Sequence, residues 1–184
     1  METGIENIQA QIEELKARIA FLENSRKDCL SIAVISGDLD RILATMIIAL
    51  AAAAMDTKVK LFFSFWSLAA LRDPQKKAKN KDFISKMFGV MLPKGKNKLP
   101  LSRMNMAGMG PAMIKYLMKK QNVLSLDEMF RQAEELGIEI TVCEMSMNLM
   151  GFKKEELIDY KHLRFAGAAT FVSEANESTM QLFI

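Results

Sequence analysis

The segment Cys29-Leu-Ser-Ile-Ala-Val-Ile-Ser36 constrains the fold more than any other part of the chain. It is rich in β-branched residues and almost wholly apolar, with no polar alternation, and a strand of that kind must be covered on both faces. Gly37-Asp38-Leu39-Asp40 then turns into a long apolar stretch from Ile42 to Met55, broken only by Thr45 and bounded by Asp40, Arg41 and Asp56. A span of about 14 residues is too short for a bilayer, which needs about 20, so it reads as a buried helix. Lys58–Ser64 is a second strand, followed by a helical Phe65–Leu71. Strand, helix and strand in this order make a βαβ unit, whose strands run parallel.

The same alternation returns after residue 100. Pro111–Lys120 and Ser125–Leu136 read as helices. The second opens on a capping box, Ser125 with Glu128 three residues on, and stops at Gly137. Ile138–Cys143 is a third strand, Met145–Met150 a short helix ending at Gly151, and Lys153–Ile158 a further helical turn. Leu163–Ala166 fits a last short strand and Ala168–Thr179 a terminal helix. The expected fold class is α/β: a three-layer α/β/α arrangement on a mostly parallel sheet of four or five strands, occupying residues 28–184.

Residues 72–100 interrupt this rhythm with many Lys and with Pro74, Pro93, Gly95 and Pro100, and read as an insertion or lid. Between residues 72 and 120, thirteen Lys and Arg face two Asp, a local charge of +11, while the rest of the chain carries −8. Such a surface suits an anionic partner, or is simply a solvated face. Few aromatics interleave it and it holds no nucleic-acid motif, so nucleic acid is not expected.

The first 27 residues stand apart as a coiled-coil helix. Ile5, Ile8, Ile12, Leu15, Ile19 and Leu22 recur at spacings of three and four, an a/d heptad seam. A lone helix with one apolar seam is marginal in water, so the seam requires a partner. Ile at both seam positions, with Arg18 and Glu23 placed to pair between chains, favours a homo-oligomer, a trimer or a multiple of three. These residues are polar and periodic where a secretory signal would be apolar, and two cysteines make no disulfide framework, so the expected location is cytoplasmic.

Ligands of parallel sheets gather beyond the carboxyl ends of the strands. Ser36, Gly37 and Asp38 follow the first strand there, Phe65 and Trp66 the second, and Cys143 the third. Cys29 begins its strand, too far from Cys143 for the roughly 7 Å reach of a disulfide, and reads as a small buried hydrophobe. Cys143 precedes a helix, whose unpaired N–H groups and dipole favour thiolate, although Glu144 opposes that if it points at the sulfur. On these residues alone a reactive thiol and an inert buried cysteine stand about level. Asp38 is a candidate cap for the following helix, with anion binding at that turn the other reading. Met104, Met106, Met109 and Met113 either line an adaptable groove or pack a lid. The single histidine, His162, lies in a loop without a second ligand, so no metal and no cofactor are expected.

Ser36-Gly-Asp-Leu-Asp40, Phe63-Ser-Phe-Trp66, Leu99–Pro111 and Cys143-Glu-Met-Ser-Met-Asn-Leu-Met-Gly151 together resemble the DsrE/DsrF-like family over about residues 29–175. The resemblance implies a parallel α/β/α fold, cytoplasmic oligomers and sulfur relay. Cys143 matches the family cysteine that accepts persulfide sulfur, and Gly151 the glycine that ends the following helix. The implied function is a sulfurtransferase or persulfide carrier whose partner is a sulfur-carrier protein or a small persulfide or thiol. Ser36, Gly37, Asp38, Phe65, Trp66, Met104, Met106, Met109 and Met145 would flank its site. The Met-rich branch is sometimes described as peroxiredoxin-like, but the chain lacks a Pro-x-x-x-Thr-x-x-Cys loop and a resolving cysteine. A binding module using the Met-rich and Lys-rich surfaces is the alternative function, and a nucleotide-binding α/β domain a third.

Overall fold

A computed structural model describes residues 2–25, 27–76, 78 and 82–184, with side chains described in the first helix for residues 8, 9 and 11–21. Lys77, Lys79 and Lys81 of the basic segment lie outside the described residues, as do the side chains of Ile5, Leu22 and Glu23 in the heptad seam.

The chain runs α1 (Glu2–Ser25), β1 (Lys27–Val34), α2 (Leu39–Ala54), β2 (Lys58–Phe63), α3 (Phe83–Met91), α4 (Met109–Lys120), α5 (Leu126–Glu135), β3 (Glu139–Cys143), α6 (Glu144–Leu149), β4 (Leu163–Ala166), α7 (Ala168–Asn176) and β5 (Ser178–Phe183). The five strands form one sheet in the order β4-β3-β2-β1-β5, and every pairing is parallel. Two assignments differ from the sequence pattern. Phe65–Leu71 is a 3₁₀ helix. The terminal helix stops at Asn176, and Ser178–Phe183 is a strand beside β1. A short segment without strong alternation gives little signal of its own, and here the open edge of β1 supplies its partner.

Alternation along the strands sorts the core. Leu30, Ile32, Val34, Leu61, Phe63, Ile140 and Val142 pack beneath α2 and α5 with Ile42, Met46, Met129 and Phe130. On the opposite face Ala33, Phe62 and Cys143 pack with Phe171 and Ala175 of α7. The amino-terminal half of this second face is charged: Lys60 and Arg164 both bind Glu174 of α7, at 2.9 and 2.8 Å, and Arg164 also binds Glu139 at 2.7 Å. The apolar stretch predicted to be buried is only half covered. In α2, Leu39, Ile42, Leu43, Met46 and Ala49 are buried, while Ala44, Ile47 and Ala51 face solvent.

The basic segment holds a second departure. Arg72 is not part of a solvated face; it is 1% exposed. Its guanidinium donates to the carbonyls of Gly89 (3.0 Å), Leu92 (3.1 Å) and Pro93 (3.2 Å) at the end of α3, and stacks 4.7 Å from the Phe152 ring. Helix ends leave carbonyls unpaired, and Arg72 takes up those of α3 from within the core, with the Glu156 carboxylate 4.0 Å away. The insertion also reaches the end of α6. Gly151, at φ +63, lies so close to Ser85 of α3 that a Cβ would stand 2.0 Å from the Ser85 hydroxyl oxygen. Replacing Arg72 by Ala strands three carbonyls and opens a cavity beside Phe152, so a loss of about 3–5 kcal/mol in urea unfolding is expected.

Candidate functional site

In-register pairing brings Val34, Phe63 and Val142 abreast, so the segments after β1, β2 and β3 leave the sheet at one edge. A serine tie fixes the first two. The Ser67 hydroxyl shares its one proton between the carbonyls of Val34 (2.6 Å) and Ser64 (2.8 Å) and accepts from the Ser64 N–H (3.0 Å). The Ser64 hydroxyl is thereby held towards β3, where it meets that of Ser146 at 2.8 Å. Ser146 in turn donates to the sulfur of Cys143 at 3.4 Å.

Cys143 is the last residue of β3 and the N-cap of α6, and is 1% exposed. Burial among Ala33, Phe62, Phe171 and Ala175 works to raise its pKa. The hydroxyl and N–H of Ser146, the hydroxyl of Ser64 and the N–H of Met145 oppose that and prevail, holding the thiol below its ordinary value. Glu144 is not turned against the sulfur: its carboxylate pairs with Lys154 at 3.1 Å. The arrangement is an apolar cup with hydrogen-bond donors on one side, suited to a thiolate or another anionic sulfur.

The other candidates divide into two groups. Gly37 lies against Trp66, where a Cβ would stand 2.3 Å from the Trp66 carbonyl oxygen. Ser36, Gly37, Asp38 and Trp66 line a cleft of about 270 Å³ with Ala69, Leu92, Pro93 and Pro100. Asp38 occupies the N-cap position of α2, but its carboxylate accepts from the Ser36 hydroxyl (2.8 Å) and makes no cap bond. The first N–H of α2, on Leu39, goes to the Pro100 carbonyl (2.7 Å), and Asp40 is bound by the N–H and hydroxyl of Ser102. Segment 99–102 is thus fastened over the start of α2. Phe65 and Met145 are exposed beside the thiol cup, and Phe65 has a left-handed backbone, φ +49.

Met104, Met106 and Met109 are exposed beyond Ser102 and do not line the cleft. Met104, Met106 and Ala107 all adopt left-handed φ, a conformation costing non-glycine residues about 1–2 kcal/mol each. His162 stacks edge-on against Tyr160 at 6.3 Å. Sequence reasoning missed Ser146, whose hydroxyl reaches the sulfur, Ser64, whose hydroxyl meets that of Ser146, and the ring wall of Phe62 and Phe171. Both serines sit inside the motifs that drew notice, but only the register of β2 with β3 makes them neighbours.

The parallel five-stranded sheet with helices on both faces puts the chain in the α/β/α class. The profile of the DsrE/DsrF/DrsH-like family matches residues 26–183, and the chain belongs to that family. It is 44% identical over 154 residues to "Uncharacterized protein YrkE" of Bacillus subtilis (strain 168), covering 84% of this chain and 95% of the relative. It is 33% identical over 159 residues to "Sulfur carrier protein DsrE2" of Allochromatium vinosum, covering 84% of this chain and 97% of the relative. Helix α1 lies outside the family match. Among the described residues no helix is long and apolar enough to cross a membrane.

Removing one donor tests the balance at the sulfur. Ser146→Ala should raise the Cys143 pKa, shrinking the thiolate fraction at every pH below the ordinary thiol value. Thiolate ultraviolet absorbance against pH, with Cys143→Ala subtracted, reads the shift; an unmoved midpoint would show that the hydroxyl contributes nothing.

Proposed function

We propose that this protein is a sulfur-relay protein in which Cys143 accepts and passes on sulfane sulfur. The observation that carries the reading is the Cys143 sulfur itself, a buried thiol held below its ordinary pKa by the donors of Ser146, Ser64 and Met145. The name of the Allochromatium vinosum relative, a sulfur carrier, supports it.

In the proposed step the Cys143 thiolate attacks the outer sulfur of a persulfide, R–S–S–H. A bond forms between the Cys143 sulfur and that outer sulfur, and the donor S–S bond breaks. Its electron pair leaves on the donor sulfur as a thiolate, R–S⁻, and the proton of the outer sulfur stays on the new Cys143 persulfide. No net oxidation occurs, and a second thiolate removes the sulfur by the same exchange. A low thiol pKa raises the attacking fraction near neutral pH. The apolar wall of Phe62 and Phe171 keeps water from the loaded cysteine.

Intact-mass measurement after exposure to a persulfide donor should show a gain of one sulfur atom that a reducing thiol removes. Cys143→Ser should not gain it, whereas Cys29→Ser should. Equal gain in the wild type and in Cys143→Ser overturns the reading.

The arm adds self-association to this proposal, in a cytoplasmic homo-oligomer of three copies or a multiple of three. Ile8, Ile12, Leu15 and Ile19 of α1 are all exposed on the single chain, a seam that burial between helices would cover. Light scattering should register a lower particle mass for the Ile12→Lys, Leu15→Lys double variant; the same mass would mean that the seam holds no second copy. The exposed Met104, Met106, Met109 and Met113 favour the second function, an adaptable binding surface. On that reading Cys143→Ser leaves partner binding intact.

A further inference from the structure

Strand β5 stands at the edge of the sheet, and among the described residues no strand pairs with its outer side. Ile184 exchanges hydrogen bonds with β1, its N–H to Ala33 and its carbonyl from Ile35. By alternation Met180 and Leu182 also face β1, and the N–H and C=O groups of Thr179, Gln181 and Phe183 point outward. Natural sheets guard such an edge with charge, proline or brevity. The opposite edge follows that rule, since β4 has four residues and carries Arg164. From Ser178 to Ile184 there is neither a charged residue nor a proline.

Both sides of the edge are apolar as well. Leu182 packs against the α2 layer, and Met180, two residues earlier on the same face, is 55% exposed. On the other face Phe183 is 70% exposed and meets Phe171 edge-on at 5.8 Å. Helix α7, which packs over β1 and β5, exposes Val172.

From this edge we infer that β5 pairs antiparallel with β5 of a second copy, joining two sheets into one of ten strands. The occupant must bring a strand edge of its own to satisfy the outward backbone groups. It must also be uncharged along about 20 Å of strand, because nothing on this edge would answer a charge. The segment 178–184 meets both requirements, and a two-fold axis across β5 sets each face of the edge against its own equivalent. A standard interface takes about 800 Å² from each partner, more than a strand edge offers. Met180 and Phe183, exposed on opposite faces of the edge itself, widen the contact. The second copy would then cover Phe183 and so close the outer side of the aromatic wall that bounds the Cys143 cup. This contact is independent of the sulfur-relay reading and of the α1 seam.

The test uses the full chain with Met180→Lys. That side chain is exposed, so the variant removes no buried contact and places like charges across the two-fold axis. Light scattering should show a twofold drop in particle mass with an unchanged circular dichroism spectrum, whatever number of copies the α1 seam assembles. Separately, single cysteines at Thr179, Gln181 or Phe183, oxidised with copper phenanthroline, should give a covalent dimer from at least one position where the wild type gives none. An unchanged mass together with no cross-link from any of the three positions overturns the proposal, as it would if α1 of the same chain covered the edge.

Discussion

The parallel ladder between β1 and β2 is the constraint on which the other parts depend. It holds six residue pairs in register from Cys29 with Lys58 to Val34 with Phe63, and β3 extends the same register outward. Because the strands are parallel, their carboxyl ends are level, and three separate stretches of chain emerge side by side. Ser67 then fixes the level to within a hydrogen-bond length by binding both Val34 and Ser64. Gly37 allows the first loop to lie flat against the second. The thiol site is a product of that alignment more than of any one motif.

At the sulfur two opposing effects are set against each other. Apolar packing disfavours the charged form of a thiol, while donors aimed at the sulfur favour it. Ser64 directly follows β2 and Ser146 lies in α6 directly after β3, so the favourable side of this balance exists only when β2 and β3 are paired. Folding and acidity are thereby coupled. The lower, charged half of the same sheet face uses the complementary solution, in which Lys60, Arg164, Glu139 and Glu174 neutralise one another.

Much of this was legible in the sequence, for identifiable reasons. Two-sided burial of Cys29–Ser36 and its turn into an apolar helix specify a parallel sheet, and the Ser125 and Glu128 pair marks the start of α5 where the structure has it. Cys143 could be placed at the carboxyl edge because strand and helix meet at that residue. Pairing across the sheet could not be read. Strand β5 depends on a neighbour 150 residues away in sequence, and Ser64 reaches Ser146 across 82 positions. Charge misled as well: Arg72 counts with the lysines around it by composition, yet its surroundings are those of a core residue. Asp38 stands where a cap is expected, but Pro100 has taken the N–H that begins the helix.

Arg72 carries an evolutionary consequence. A guanidinium enclosed by carbonyls of Gly89, Leu92 and Pro93 makes the insertion and the arginine one heritable unit. A descendant that shortened the segment between them would leave a cation stranded in the core, and one that lost the arginine would leave the segment without its anchor. Surface loops usually vary freely in length, whereas shortening this one removes carbonyl partners of a buried guanidinium. The insertion is attached to the domain the way a subdomain is, by an obligation at its root.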